Sequence, residues 1–115
     1  MSKANRSVAD LAGAAPVFAA LGDETRLRLI AKLSDGTALS ITKLGIGTAV
    51  TRQAVTKHLH VLANAGLVEG FRSGREQLWK IRPEQVVEAQ RCLDLISRHW
   101  DDALSRLKAS LEDGK

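Results

Sequence analysis

Segment 51–82 constrains the fold most, because it sets a capped amphipathic helix directly before two alternating strands. Thr51 stands at a helix N-cap position, and Gly66 ends the helical pattern just after Ala65, giving a helix over 51–65. At 100° per residue, Val55, Leu59 and Leu62 share one arc of this helix. Arg52, Gln53, Thr56, Lys57 and His60 fill the other. The runs Leu67-Val68-Glu69-Gly70-Phe71-Arg72 and Gln77-Leu78-Trp79-Lys80-Ile81 then alternate apolar and polar side chains. They read as a two-stranded hairpin over 67–82 that turns at Ser73-Gly74-Arg75-Glu76.

The flanking segments read as helices. Leu11, Ala15, Phe18 and Leu21 recur at helical spacing, with Pro16 suited to a first turn or a kink. Asp23 can cap a second helix whose expected buried stripe is Leu27, Ile30 and Ala31. Arg26, Arg28 and Lys32 face other directions, and Asp35-Gly36 supplies a turn. Ser40 can cap a short third helix through Leu44, which Gly45 and Gly47 loosen. Pro83 suits the first position of a last long helix over 84–111. Residues 1–9 read as a loose tail. The 115 residues suffice for one domain. Its expected fold class is mainly α with a small β-hairpin, in a winged helix-turn-helix arrangement.

Charge is concentrated in the same third of the chain. Segment 51–82 holds six cationic residues, Arg52, Lys57, Arg72, Arg75, Lys80 and Arg82, against the acidic Glu69 and Glu76. The rest of the chain holds eleven of each sign, so the whole net charge of +4 lies here. A localised basic patch suits a phosphate-bearing partner. The polar arc of the helix adds groups that can read a DNA groove. Arg52 can pair bidentately with guanine and Gln53 with adenine, and Thr56 offers a methyl and a hydroxyl. His60 shares that arc. Thr51 sits at the positive end of the helix, and Lys57 suits a phosphate. Arg72 and Arg75 put two cations on the hairpin tip, where they can lie against the backbone or reach a minor groove. The expected partner is double-stranded DNA. The competing reading is a winged-helix module that binds another protein.

Other classes fit poorly. Phe18, Phe71, Trp79 and Trp100 are the only aromatic residues, too few for a surface that stacks single-stranded bases. The single cysteine, Cys92, fits a reducing, cytoplasmic setting. The longest apolar stretch, 11–22, is too short for a bilayer and runs into a helix pattern rather than a leader's cleavage site. His58 and His60 diverge on a helix, and His99 lies five residues from Asp94, so neither pairing chelates a metal. No nucleophile–base pair and no phosphate loop are visible, so neither an enzyme nor a cofactor is expected.

The last helix carries a second pattern. Val86, Ala89, Leu93, Ile96, Trp100, Ala103 and Leu107 recur in steps of three and four, as a heptad seam does, and Leu104 and Leu111 widen it. Such a seam suits a homodimer interface.

Several runs resemble one family in the correct order. Leu21-Gly22-Asp23-Glu24-Thr25-Arg26-Leu27-Arg28-Leu29-Ile30 resembles the second-helix signature of ArsR-type winged helix-turn-helix repressors. Thr51-Arg52-Gln53-Ala54-Val55-Thr56-Lys57-His58-Leu59, with Val61-Leu62 and Ala65-Gly66-Leu67-Val68, resembles their recognition helix. Gly74-Arg75-Glu76 before Leu78-Trp79 resembles their wing. The resemblance spans about Phe18 to Leu111 and implies a homodimer whose first and last helices interlock, with repression as its output. Metal-sensing members carry a Cys-x-Cys where this chain has Ser40 and Thr42. Hydroxyls do not replace thiolates toward soft metals. The resemblance is therefore to a metal-independent branch, and the effector stays open.

Overall fold

Three side-chain caps divide the N-terminal half into helices. Asp23 Oδ2 accepts the Arg26 amide at 3.0 Å, Ser40 Oγ the Lys43 amide at 3.3 Å, and Thr51 Oγ1 the Ala54 amide at 3.1 Å. Each satisfies a first-turn N–H that has no partner within its helix. The computed structural model describes residues 12–113. The tail 1–9 and Leu11, which the first-helix pattern included, lie outside them. The elements are α1 (Ala15–Leu21), α2 (Glu24–Leu33), β1 (Leu39–Ser40), α3 (Ile41–Gly45), α4 (Arg52–Asn64), β2 (Val68–Ser73), β3 (Glu76–Ile81) and α5 (Pro83–Asp113). Pro16 lies in the first turn of α1, where its missing N–H costs nothing.

The core lies where α1, α2, α3 and α4 meet the sheet. Leu29, Leu33, Leu44, Leu59 and Leu62 have no solvent exposure, and Val17, Ala20, Val55, Leu67, Val68 and Trp79 complete the cluster. Each fully buried leucine contributes roughly 1.5–3 kcal/mol. The stripe on α2 differs from the expected one. Leu29 and Leu33 are buried and Ile30 is half-buried, whereas Leu27 and Ala31 face solvent. The cause is the pair of cations on either side of that stripe. Arg26 Nε donates to the Ala20 carbonyl, and Lys32 Nζ donates to the Leu44 carbonyl at 2.9 Å and to the Ile46 carbonyl. These bonds tie both flanks of α2 inward and rotate Leu27 out.

The expected hairpin gains a third strand. β1 pairs antiparallel with β3, Leu39 opposite Trp79, so the sheet order is β1-β3-β2. A two-residue strand is too short to show alternation in the sequence. Trp79 sits in the central strand with Leu39 on one side and Gly70 on the other. A Cβ at Gly70 would lie 3.2 Å from the indole ring and 2.6 Å from Gln77 Nε2, so the ring packs over bare backbone.

The heptad seam on α5 divides. Val86 packs against the core and Ala89 is buried in it, with Cys92 buried one turn on. α5 also contacts α1 within the same chain. Ala89 and Val86, expected at a dimer interface, therefore serve the protomer's own core. Beyond Cys92 the stripe is uncovered. Leu93, Ile96, Trp100, Leu104, Leu107 and Leu111 are exposed, Trp100 to 65%, and Ala103 is half-buried.

α4 ends in a Schellman turn. The Gly66 amide donates to the Ala63 carbonyl at 2.9 Å, and the Leu67 amide to the Leu62 carbonyl at 3.0 Å. Gly66 has φ +79°, and a Cβ there would stand 2.9 Å from Gln85 Cγ. Gly66→Ala is expected to destabilise the fold by about 1–2 kcal/mol, mostly from the left-handed backbone. Urea unfolding of the two proteins measures it.

Candidate nucleic-acid interface

α4 is seated on the core by Val55, Leu59 and Leu62, which fixes the direction its other face takes. Thr51, Arg52, Gln53 and Lys57 are exposed on that face. Thr56 is half-buried, and its hydroxyl donates to the Arg52 carbonyl at 3.1 Å. That bond uses the hydroxyl proton, so the group offers outward only its methyl and oxygen lone pairs. His60, expected on the groove-facing arc, is exposed and also touches the sheet. Its ring lies 5.8 Å from that of Trp79, at 50°.

Three of the sequence-predicted cations meet. Arg52 from α4, with Arg72 and Arg75 from the tip of the wing formed by β2 and β3, lines an open cleft of about 250 Å³. Ser40 and Thr42 from the start of α3, with Glu76 and Gln77 from β3, complete its polar wall. Arg52 Nη1 donates to Thr42 Oγ1 at 3.4 Å, which turns the guanidinium back toward α3. Ser73 pairs with Glu76 across the strands, so the wing tip is the two-residue turn Gly74-Arg75, with Gly74 at φ +64°. The cations at the base of the wing are neutralised. Lys80 Nζ is 3.3 Å from Glu69 and lies over the Phe71 ring, and Arg82 Nε is 3.8 Å from Glu84. The basic patch of 51–82 therefore contracts to Arg52, Lys57, Arg72 and Arg75.

The family follows from this frame together with its likeness to known proteins. A helix-turn-helix domain model matches residues 21–70. The uncharacterized HTH-type transcriptional regulator YuzN of Bacillus subtilis (strain 168) is 42% identical over 65 residues, 51% of this chain and 71% of that one. The solved ArsR-like transcriptional regulator from Rhodococcus sp. RHA1 superposes with a TM-score of 0.70 at 37% identity, over 88% of this chain and 94% of that one. The chain belongs to the ArsR-like helix-turn-helix transcriptional regulators. A further neighbour, the homodimeric winged helix-turn-helix DNA-binding domain Mb0332 from Mycobacterium bovis, shares the fold at a TM-score of 0.61 and 24% identity, over 85% of this chain and 90% of that one.

As an ArsR-like DNA-binding regulator, the chain must hold α4 in a fixed pose, and two residues not singled out for this task do so. Lys32 reaches from α2 to the end of α3 and ties down the turn before α4. Arg26 Nη1 lies 3.2 Å from His58 Nδ1 and so joins α2 to α4. Arginine has only donors, so His58 Nδ1 accepts in this contact. No sequence spacing signals either bond, because the partners lie 12 to 32 residues apart. Ser40 Oγ is engaged as a helix cap and Thr42 Oγ1 by Arg52. Among the described residues no group of three or more His, Cys, Asp or Glu side chains could hold a metal ion. Nor, among them, is any helix long and apolar enough to cross a membrane.

The Arg26 amide bond holds the Asp23 carboxyl below the ordinary carboxylate value of 3.8; desolvation opposes this lowering, and the Arg26 charge adds to it. A lowered folded value means that the stabilisation is present above 3.8 and is lost as pH falls through the depressed value. Asp23→Asn keeps the cap but removes the titration. Stability measured by urea unfolding should therefore fall less steeply for Asp23→Asn than for the wild type below about pH 4.

Proposed function

We propose that the protein is a homodimeric repressor that binds a near-palindromic operator in double-stranded DNA and needs no metal ion to do so. The uncovered stripe on α5 carries this reading. At 100° per residue, Leu93, Ile96, Trp100, Leu104, Leu107 and Leu111 fall within about 40° to 60° of one direction. That direction continues the face on which Val86 and Ala89 already pack. A contiguous apolar face of this length marks an association surface. Its occupant is a second copy, because the stripe continues a packed core face and keeps the heptad spacing that self-association uses. Mb0332, which shares the fold, is homodimeric, and that supports pairing of two copies.

A two-fold dimer presents two α4 helices to one face of DNA, and two-fold symmetry asks for an operator whose halves repeat in opposite sense. Gln53 and Thr56 would read base edges, with Lys57 on the backbone. Such a dimer blocks other proteins from the DNA it covers, which is repression in its simplest form. The hydroxyls of Ser40 and Thr42, where thiolates would serve a metal sensor, support a different class of effector.

Trp100→Ala tests the dimer. Sedimentation should find the variant monomeric at concentrations where the wild type is paired. Its affinity for duplex DNA should then fall by more than the tenfold to hundredfold typical of one lost base contact, since each half-site must bind alone. A variant dimer as tight as wild type would remove the basis for the palindrome.

A further inference from the structure

The cleft between α3, α4 and the wing has a chemistry of its own. Three guanidinium groups, Arg52, Arg72 and Arg75, line it with the Ser40 and Thr42 hydroxyls and the Gln77 amide. None of the three arginines has a carboxylate within ion-pair distance among the described residues, whereas Lys80 and Arg82 at the base of the wing do. Glu76 is the one acid on the wall, so the cleft carries an excess of two positive charges. Arg52 comes from α4, and Arg72 and Arg75 come from the hairpin tip, where Arg72 stands opposite Gln77. The positive end of α4 opens beside them, with Thr51 capping its Ala54 amide. Guanidinium and hydroxyl donors around an open cleft of about 250 Å³ match a tetrahedral oxyanion with several acceptor oxygens.

We propose that this cleft is a seat for one phosphate group, and that Arg52 serves that phosphate rather than reading a base. Thr42 supports the second half of the proposal, because its bond to Nη1 holds the Arg52 guanidinium toward α3 and the cleft. The phosphate class has two sources, a DNA backbone phosphate or a free phosphate-bearing molecule. The first rests on the DNA-binding reading, and the second does not.

Two measurements separate them. The first uses a duplex selected from a randomised pool by the wild-type protein and a scrambled duplex of equal length. Arg52→Gln and Arg75→Gln should weaken both duplexes by the same factor and lower the slope of log affinity against log salt by about one. Gln53→Ala should weaken only the selected duplex. Glu76→Gln should tighten both. The second follows backbone amide shifts of the DNA-free protein on adding inorganic phosphate, against chloride at matched ionic strength. Saturable shifts at Thr42, Arg52 and Gln77 that Arg75→Gln abolishes would place free phosphate in the seat. The DNA result alone assigns the seat to the backbone, the phosphate result alone to a small anion, and both together to either source. A base-selective loss for Arg52→Gln with an unchanged salt slope, together with unsaturable shifts, would overturn the proposal. A protein that binds no duplex would end the DNA-binding reading, while the phosphate titration would still decide the seat.

Discussion

The packing of Val55, Leu59 and Leu62 into the core is the contact on which the rest of the structure depends. A helix held by three side chains on one arc has no freedom to roll, so its opposite arc has a fixed outlook. The core beneath it is made of large apolar side chains from α2, α3 and the sheet, with Leu29, Leu33 and Leu44 fully enclosed. The polar ties at its edge set direction more than they add stability. Lys32 and Arg26 reach backbone carbonyls at the ends of α3 and α1, groups that a helix end leaves without internal partners. Together they make α2 the plate on which both α1 and the α3–α4 turn are mounted.

The wing shows how charge is sorted along one hairpin. At its base the cations have partners close by, Glu69 for Lys80 and Glu84 for Arg82. At its tip they have none among the described residues, and the third cation, Arg52, comes from a different element. Surface ion pairs contribute little to stability, about 0–1 kcal/mol each. Their effect is to offset the charge of the base, which leaves Arg72 and Arg75 at the tip unpaired among the described residues and beside Arg52.

Much of this was legible in the sequence because it depends on local chemistry. The caps at Asp23, Ser40 and Thr51, the stop at Gly66 and the alternation of 67–82 all act within a few residues. What the sequence concealed depends on rotation and on distance. The α2 run Glu24–Leu33 offers two apolar stripes, and the choice between them is made by Arg26 and Lys32 bonding to carbonyls on other elements. The seam on α5 is regular from Val86 to Leu107, so nothing in its spacing marks the point near Cys92 where intramolecular packing ends. His60 shares an arc with Gln53 on a helical projection, and nothing in that projection shows its ring contact with Trp79, from a strand nineteen residues on. β1 is too short to have a pattern. The cleft joins residues from α3, α4 and both wing strands, so only the folded chain displays it.

If the exposed stripe of α5 pairs two copies, two α4 helices meet one face of a duplex. Hydroxyl-radical footprinting of the wild-type protein on a duplex selected from a random pool tests it most directly. A paired protein gives two protected blocks related by a two-fold axis, with centres about 34–36 Å apart, close to one helical turn. A single protected block with no symmetry, at protein concentrations that saturate the duplex, would contradict it.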